Sequence, residues 1–151
     1  MMSFTESIKS VLITNYAKFS GRARRSEYWW FYLFNFIVGL ILGFIGVKAL
    51  STVYELIILI PSLAVTVRRL HDTGRSGWLV IVPILVTVLA VVIGIMMNSI
   101  AGIWIMYLMI LAVCIVYIVW LCQDSQKGEN EYGPNPKEIQ AEPESEETKT
   151  E

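Results

Sequence analysis

From Tyr28 to Cys122 the chain is a nearly continuous apolar tract, interrupted once, by a cluster of charge between Arg68 and Arg75. A helix needs about 20 mainly apolar residues to cross a hydrocarbon layer of roughly 30 Å. A tract this long holds several such helices and exceeds what the core of a small soluble domain can bury. Composition agrees. Of the 151 residues, 55% are hydrophobic and 17% charged, against about 45–50% and about 25% in soluble domains. An ordinary soluble domain, a disulfide scaffold and a fully disordered chain are excluded, and a small multispanning membrane protein is predicted.

Tyr28 to Val47, Trp78 to Met97 and Ala101 to Leu121 each supply a span-length run. Leu50 to Val67 is shorter and carries Glu55 and Pro61, but it must connect two spans and contains Leu56-Ile57-Ile58-Leu59-Ile60. It reads as a buried helix. The expected fold class is an all-α membrane protein with four transmembrane helices and an amino-terminal interfacial amphipathic helix. Residues 1–20 form that amphipathic helix and residues 21–122 the four-helix domain, with spans at about 28–47, 50–67, 78–97 and 101–121. An ordered juxtamembrane segment over 123–136 and a disordered acidic tail over 137–151 follow.

The net charge of −1 conceals a division. Residues 1–122 hold nine Lys or Arg against four acids, whereas 123–151 hold three against nine. Eleven of the twelve basic residues fall in the amino-terminal segment, the connection after the second span, or the tail. Four spans put those regions on one side and leave Lys48 alone on the other, and the excess of Lys and Arg on cytoplasmic loops then predicts that both termini are cytoplasmic. The opposite-side connections, around 49–52 and 98–100, leave little room for an external domain. Residues 1–27 lack the apolar core of a cleavable signal peptide. Cys114 and Cys122 lie eight residues apart on one predicted helix, roughly 12 Å by helical rise and beyond disulfide reach. They are expected to be reduced packing residues.

Ser3 followed by Glu6 has the spacing of a capping box, and Phe4, Ile8, Val11, Leu12 and Phe19 recur at helical spacing. A helix lying at the membrane interface and one packed across the ends of the spans both bury that stripe, so both readings stay open. Gly21 is placed to end the helix. Gly21-Arg22-Ala23-Arg24-Arg25-Ser26-Glu27-Tyr28-Trp29-Trp30 then sets three arginines outside the first span with an aromatic belt behind them. Arginine suits forked hydrogen bonding to phosphate or carboxylate; anchoring the topology is the plainer role. Nucleic acid is discounted as a partner, because the aromatics run straight into a span.

The connection Arg68-Arg69-Leu70-His71-Asp72-Thr73-Gly74-Arg75-Ser76-Gly77-Trp78 carries the chain's only histidine. Anion binding is open to its arginines and glycine-exposed N–H groups. Closure of a tight turn is the expected role of Gly74 and Gly77. Acid–base chemistry by His71 with Asp72 is weaker, since adjacent residues on an extended strand point apart and no second histidine, nucleophile elbow or phosphate loop completes a site. One histidine and one aspartate make an incomplete ligand set, so no metal or cofactor is expected. Within the spans, Asn35 reads as interhelical glue and Glu55 as a partner for Lys48, while Pro61 and Pro83 interrupt two spans. The Gly-Pro and Asn-Pro steps after Cys122 favour turns.

Three patterns, at 21–30, 68–78 and Gly-Glu-Asn-Glu-Tyr-Gly-Pro-Asn-Pro at 128–136, sit in order around the four spans. Together they resemble the YhaH/YhaI-like family of small bacterial inner-membrane proteins over about residues 10–136. In the third, Glu131 directly precedes Tyr132 where that family commonly has Gly-x-x-Gly-x-Asn before Tyr-Gly-x-x-Pro, so the stretch is shortened. The resemblance implies a bacterial inner-membrane location and the four-span fold, and brings no catalytic residues. Gly21, Gly74, Gly77, Trp78, Tyr132, Gly133, Pro134 and Pro136 are the expected structural positions of the motifs.

Arg22, Arg24, Arg25, Arg68, Arg69, His71, Asp72 and Arg75 are expected to form a basic cytoplasmic juxtamembrane face, with Tyr132 to Pro136 folded against it and Asp72 orienting an arginine. Such a face suits anionic membrane lipids, each exposed basic residue contributing about 1 kcal/mol, or a membrane-protein partner; a homo-oligomer also fits. The leading expectation is a non-enzymatic interaction module. The alternative is a small oligomeric transporter or channel, and a membrane enzyme using His71 and Asp72 comes last.

Overall fold

The computed structural model describes residues 2–139; of the tail expected to be disordered over 137–151, residues 137–139 are instead part of a helical turn and the remainder lies outside the described residues. A short helix α1 (Phe4–Lys9) leads into four helices long and apolar enough to cross a membrane. These are α2 (Arg25–Ile45), α3 (Lys48–Asp72), α4 (Val82–Met97) entered through a 3-10 turn at Gly77–Ile81, and α5 (Ile100–Cys122). A last turn, α6, covers Pro136–Ile139. Left-handed residues Gly46 and Asn98 close the α2–α3 and α4–α5 hairpins, and Ser99 caps α5 by accepting from the Gly102 N–H at 3.2 Å.

Apolar side chains cover the outside: Phe44, Met96 and Ile100 stand 91, 80 and 76% exposed. In water such a surface is prohibitive, while in lipid it is the stable arrangement. The buried core, with Val11, Tyr28, Phe31, Val65, Leu70 and Leu121, gathers at one end of the bundle. There the start of α2, the end of α3, the entry to α4 and the end of α5 meet, and charged residues are buried among them.

In α1 the capping box forms, with Ser3 N–H donating to Glu6 Oε2 (2.8 Å) and Glu6 N–H to Ser3 Oγ (3.3 Å). Those bonds hold the Glu6 carboxyl below its usual range. The helix widens to a π turn over Ser10–Thr14 and stops at Asn15, short of Gly21. Of the two open readings, its contacts are those of packing across the span ends. Ser7 and Val11 are buried, Phe4 meets Trp30 edge-on at 5.6 Å, and Tyr16 donates its hydroxyl to Ile57 O on α3 at 2.6 Å.

Four other expectations change. Arg68 to Asp72 are the last turn of α3, not a loop, because the helix continues past its apolar stretch while its polar residues find partners. Pro83 lies in the first turn of α4 and interrupts nothing, since the N–H it lacks has no intrahelical acceptor there. Lys48 and Glu55 both belong to α3, two turns and roughly 10 Å apart, and no ion pair joins them among the described residues. Cys114 and Cys122 are free and exposed on α5 rather than packed inside.

Candidate functional site

The helical ending of α3 puts Arg69 and Asp72 one turn apart, and Asp72 becomes the hub of a buried network. Its Oδ2 accepts from Arg69 Nη1 and from Ser125 Oγ (2.6 Å), and its Oδ1 pairs with Arg22 Nε at 3.0 Å. Arg22 also donates through Nη1 to the carbonyls of Gly128 (2.8 Å) and Gly133 (3.3 Å), and through Nη2 to that of Gln126. Two guanidiniums against one carboxylate leave a surplus positive charge. Arg69 directs it at the Leu121 carbonyl (3.1 Å) and the Gln123 carbonyl, at the end of α5. Unsatisfied carbonyls there carry partial negative charge and need donors. Next to this network, Arg68 Nη1 pairs with Glu27 Oε1 at 2.8 Å, and Ser10 Oγ donates to the same oxygen at 3.0 Å. The structure thereby ties α1, α2, α3, α5 and the segment after α5 into one charge lock.

His71 closes the other side. Its Nδ1 lies 3.1 Å from the Gly21 carbonyl, which requires the proton on Nδ1. Its ring stacks on Tyr132 at 3.8 Å with 2° between planes, and Asn130 Nδ2 donates to its carbonyl at 3.0 Å. Two glycines let these parts approach. Gly74 is left-handed (φ +72°) and a Cβ there would lie 2.6 Å from Gln126 Oε1; a Cβ on Gly77 would lie 2.7 Å from Val67 Cγ1 and 2.8 Å from His71 Nε2. Gly77→Ala is therefore expected to destabilise by about 1–3 kcal/mol through overpacking, read as a lowered unfolding temperature in detergent.

Residues 16–134 match the family described as Protein of unknown function (DUF805). The chain belongs to that family. Two relatives, Inner membrane protein YhaH and Inner membrane protein YhaI of Escherichia coli (strain K12), are 34% identical over 137 residues and 39% identical over 135. Each comparison covers 83% of this chain, with 93% of YhaH and 92% of YhaI. No solved structure matches the chain. The DUF805 match reaches from the end of the α1 region to Pro134, so it takes in the lock residues from Arg22 to Gly133.

In this DUF805 chain the expected basic face is largely an interior. Arg22, Arg24, Arg68, Arg69, His71 and Asp72 are buried, Arg75 is half-exposed and Arg25 exposed. The reason is electrostatic. A bare buried guanidinium is prohibitive, so these arginines can be buried only because the fold supplies each with carboxylates or carbonyls. Arg24 donates to the Pro136 carbonyl, and Arg75 sits 5.1 Å over the Trp120 ring, a cation–π contact. His71 and Asp72 follow one another on a helix and point about 100° apart, and both Asp72 oxygens are taken, so the two do not form an acid–base pair. Of the expected motif positions, Gly21, Gly74, Gly77, Tyr132, Gly133 and Pro136 make the contacts above. Trp78 and Pro134 are exposed.

Glu27, Ser125, Gln126 and Asn130 belong to the site and sequence reasoning missed them. For Glu27 there was a signal: it and Asp72 are the two acids set among the arginines of the motifs, and such acids invite pairing. Ser125, Gln126 and Asn130 gave none. Outside the lock, Asp124 bridges Arg25 Nη2 (3.3 Å) and Lys137 Nζ, with all three side chains well exposed. The hydrogen bond from Lys137, then that from the Ser125 N–H, hold its carboxyl below the usual range. A lowered folded pKa means the bridge stabilises above the unfolded carboxylate value of about 3.9 and is lost as pH falls through the folded value. Exposure keeps the effect small. Asp124→Asn is expected to cost under about 1 kcal/mol at pH 7 and nothing below the folded pKa, which paired unfolding curves at the two pH values would check.

Proposed function

We propose that this DUF805 chain is a non-enzymatic inner-membrane module whose locked end faces the cytoplasm and holds anionic phospholipid. The location is supported by the names of YhaH and YhaI, and the orientation by the excess of Lys and Arg at that end. One observation carries the lipid reading. Two cavities adjoin at Arg25 and Ser26, one lined by these two with Arg24 and Lys137, the other by these two with Trp29, Trp30 and Leu33. A headgroup phosphate suits the first cavity, where Arg24, Arg25 and Lys137 outnumber the single Asp124 carboxylate that Arg25 and Lys137 share, and an acyl chain suits the aromatic one.

The test is the lipid retained by protein purified from native membranes, measured by mass spectrometry as the ratio of anionic to zwitterionic phospholipid. Arg25→Ala with Lys137→Ala is expected to lower that ratio by roughly thirtyfold, at about 1 kcal/mol per cation lost. An unchanged ratio sinks the reading. Arg68 and Arg69 are unsuitable targets, because removing them breaks the lock itself.

The transporter reading retains one favourable observation. A cavity of about 540 Å³ between α2 and α3 is lined by Asn35, Ser51, Tyr54, Glu55 and Ser62, and Tyr54 donates to Asn35 Oδ1 at 2.6 Å. Polar groups at membrane depth mark solute paths as well as helix contacts. Solute flux into sealed vesicles that disappears with Glu55→Gln would favour transport.

A further inference from the structure

Beside the lock, where the link after α1, the last turns of α3 and the 3-10 entry to α4 meet, lies a cavity of about 610 Å³. Its size falls in the range of small-molecule sites, about 300–1,000 Å³. Leu63, Val67, Val80 and Ile81 line it with hydrocarbon, and Phe19 and Trp78 add aromatic walls. Ile81 and Trp78 are also 36 and 79% exposed on the outside of the bundle, where the apolar surface of α4 begins. A molecule dissolved in the bilayer can therefore reach this cavity without crossing water.

Three polar side chains lie in the wall, His71, Ser76 and Tyr132, and the Tyr132 hydroxyl has no hydrogen-bond partner among the described residues. His71 is nine-tenths buried, and its Nδ1 proton is committed to the Gly21 carbonyl. The neutral ring then offers Nε2 as a lone pair, and Nε2 has no hydrogen-bond partner among the described residues. Ser76 is exposed at the cavity mouth; its Oγ accepts from the Trp78 N–H at 3.4 Å and its hydrogen is free to donate. On a wall that is hydrocarbon apart from these groups, the His71 lone pair calls for a donor and the Ser76 hydroxyl for an acceptor, and a ligand hydroxyl is both. A carbonyl would satisfy Ser76 alone, and an ammonium would bring an unpaired charge into hydrocarbon.

We propose that this cavity binds a lipophilic alcohol or phenol taken from the bilayer, its hydroxyl donating to His71 Nε2 and accepting from Ser76. The site is separate from the Arg25 lipid cavities, and either can fail without the other. The full chain in phosphatidylcholine nanodiscs is photolabelled with a diazirine-bearing dodecan-1-ol, and the labelled residues are mapped by mass spectrometry. Labels are expected at Trp78, Val80 and Ile81. Dodecan-1-ol and 4-nonylphenol should compete, and the stronger competitor separates an aliphatic from a phenolic source. Dodecyl methyl ether, which cannot donate to Nε2, should compete about tenfold less well, the usual cost of leaving one buried acceptor unpaired. Ile81→Trp fills the cavity and should abolish labelling while leaving the unfolding temperature unchanged; Leu63→Phe fills it from α3 and serves if Ile81→Trp does not fold. Equal competition by ether and alcohol, or undiminished labelling in a folded cavity-filling variant, overturns the proposal.

Discussion

Asp72→Ala is expected to cost about 3–5 kcal/mol, the penalty for removing one partner of a buried ion pair. In detergent this corresponds to a fall in unfolding temperature on the order of 10 °C. The variant leaves Arg22 and Arg69 buried side by side with carbonyls but no counter-charge, and it takes the acceptor from Ser125 Oγ. Asp72→Asn keeps one oxygen acceptor and should lie between the alanine variant and wild type. Limited proteolysis gives an independent reading. Lys127 follows Gln126, whose N–H is held by the Asp72 carbonyl at 2.9 Å, so trypsin should cut after Lys127 much faster in Asp72→Ala. A loss below about 1 kcal/mol would mean that the hub is an ordinary solvated pair.

The second large effect concerns Glu27 and Arg68. Arg68 has Nε and Nη2 buried with no partner among the described residues, so Glu27 carries its side-chain pairing alone. Glu27→Ala is therefore expected to cost about 3–5 kcal/mol. Replacing both, as Glu27→Leu with Arg68→Met, removes the charges and keeps the volume, and buried pairs replaced in this way are often neutral or more stable. The double variant should unfold within about 1.5 kcal/mol of wild type, far from the sum of the single losses. A double variant as unstable as that sum would show that the two side chains act independently.

The four spans were legible because length and apolarity are local properties, and a lipid-facing helix must show both along its whole course. The helix ends were not. α2 begins at Arg25 and α3 runs on to Asp72, since a helix may carry charge wherever the fold supplies a partner, and composition records only the charge. The same blindness turned the motif arginines into an expected surface. Arg22 finds Asp72 fifty positions away and Gly128 more than a hundred away, and His71 meets Tyr132 across a similar gap. Sequence patterning reports what neighbours within a few residues do. Asn35 could be read because its role needs only a polar side chain inside a span. Ser125 could not, since a serine in a polar tail looks alike whether it is solvated or bound to a buried carboxylate.

The lock also sets an order of events during synthesis. Its hub carboxylate is on α3 and one guanidinium precedes α2, but the carbonyls that complete Arg22 and Arg69 come from Leu121 to Gly133. Until residues 121–133 have left the ribosome, the spans can be inserted while these arginines still require water. A chain stopped short of residues 121–133 would hold most of the four spans but leave Arg22 and Arg69 without the carbonyls that complete them.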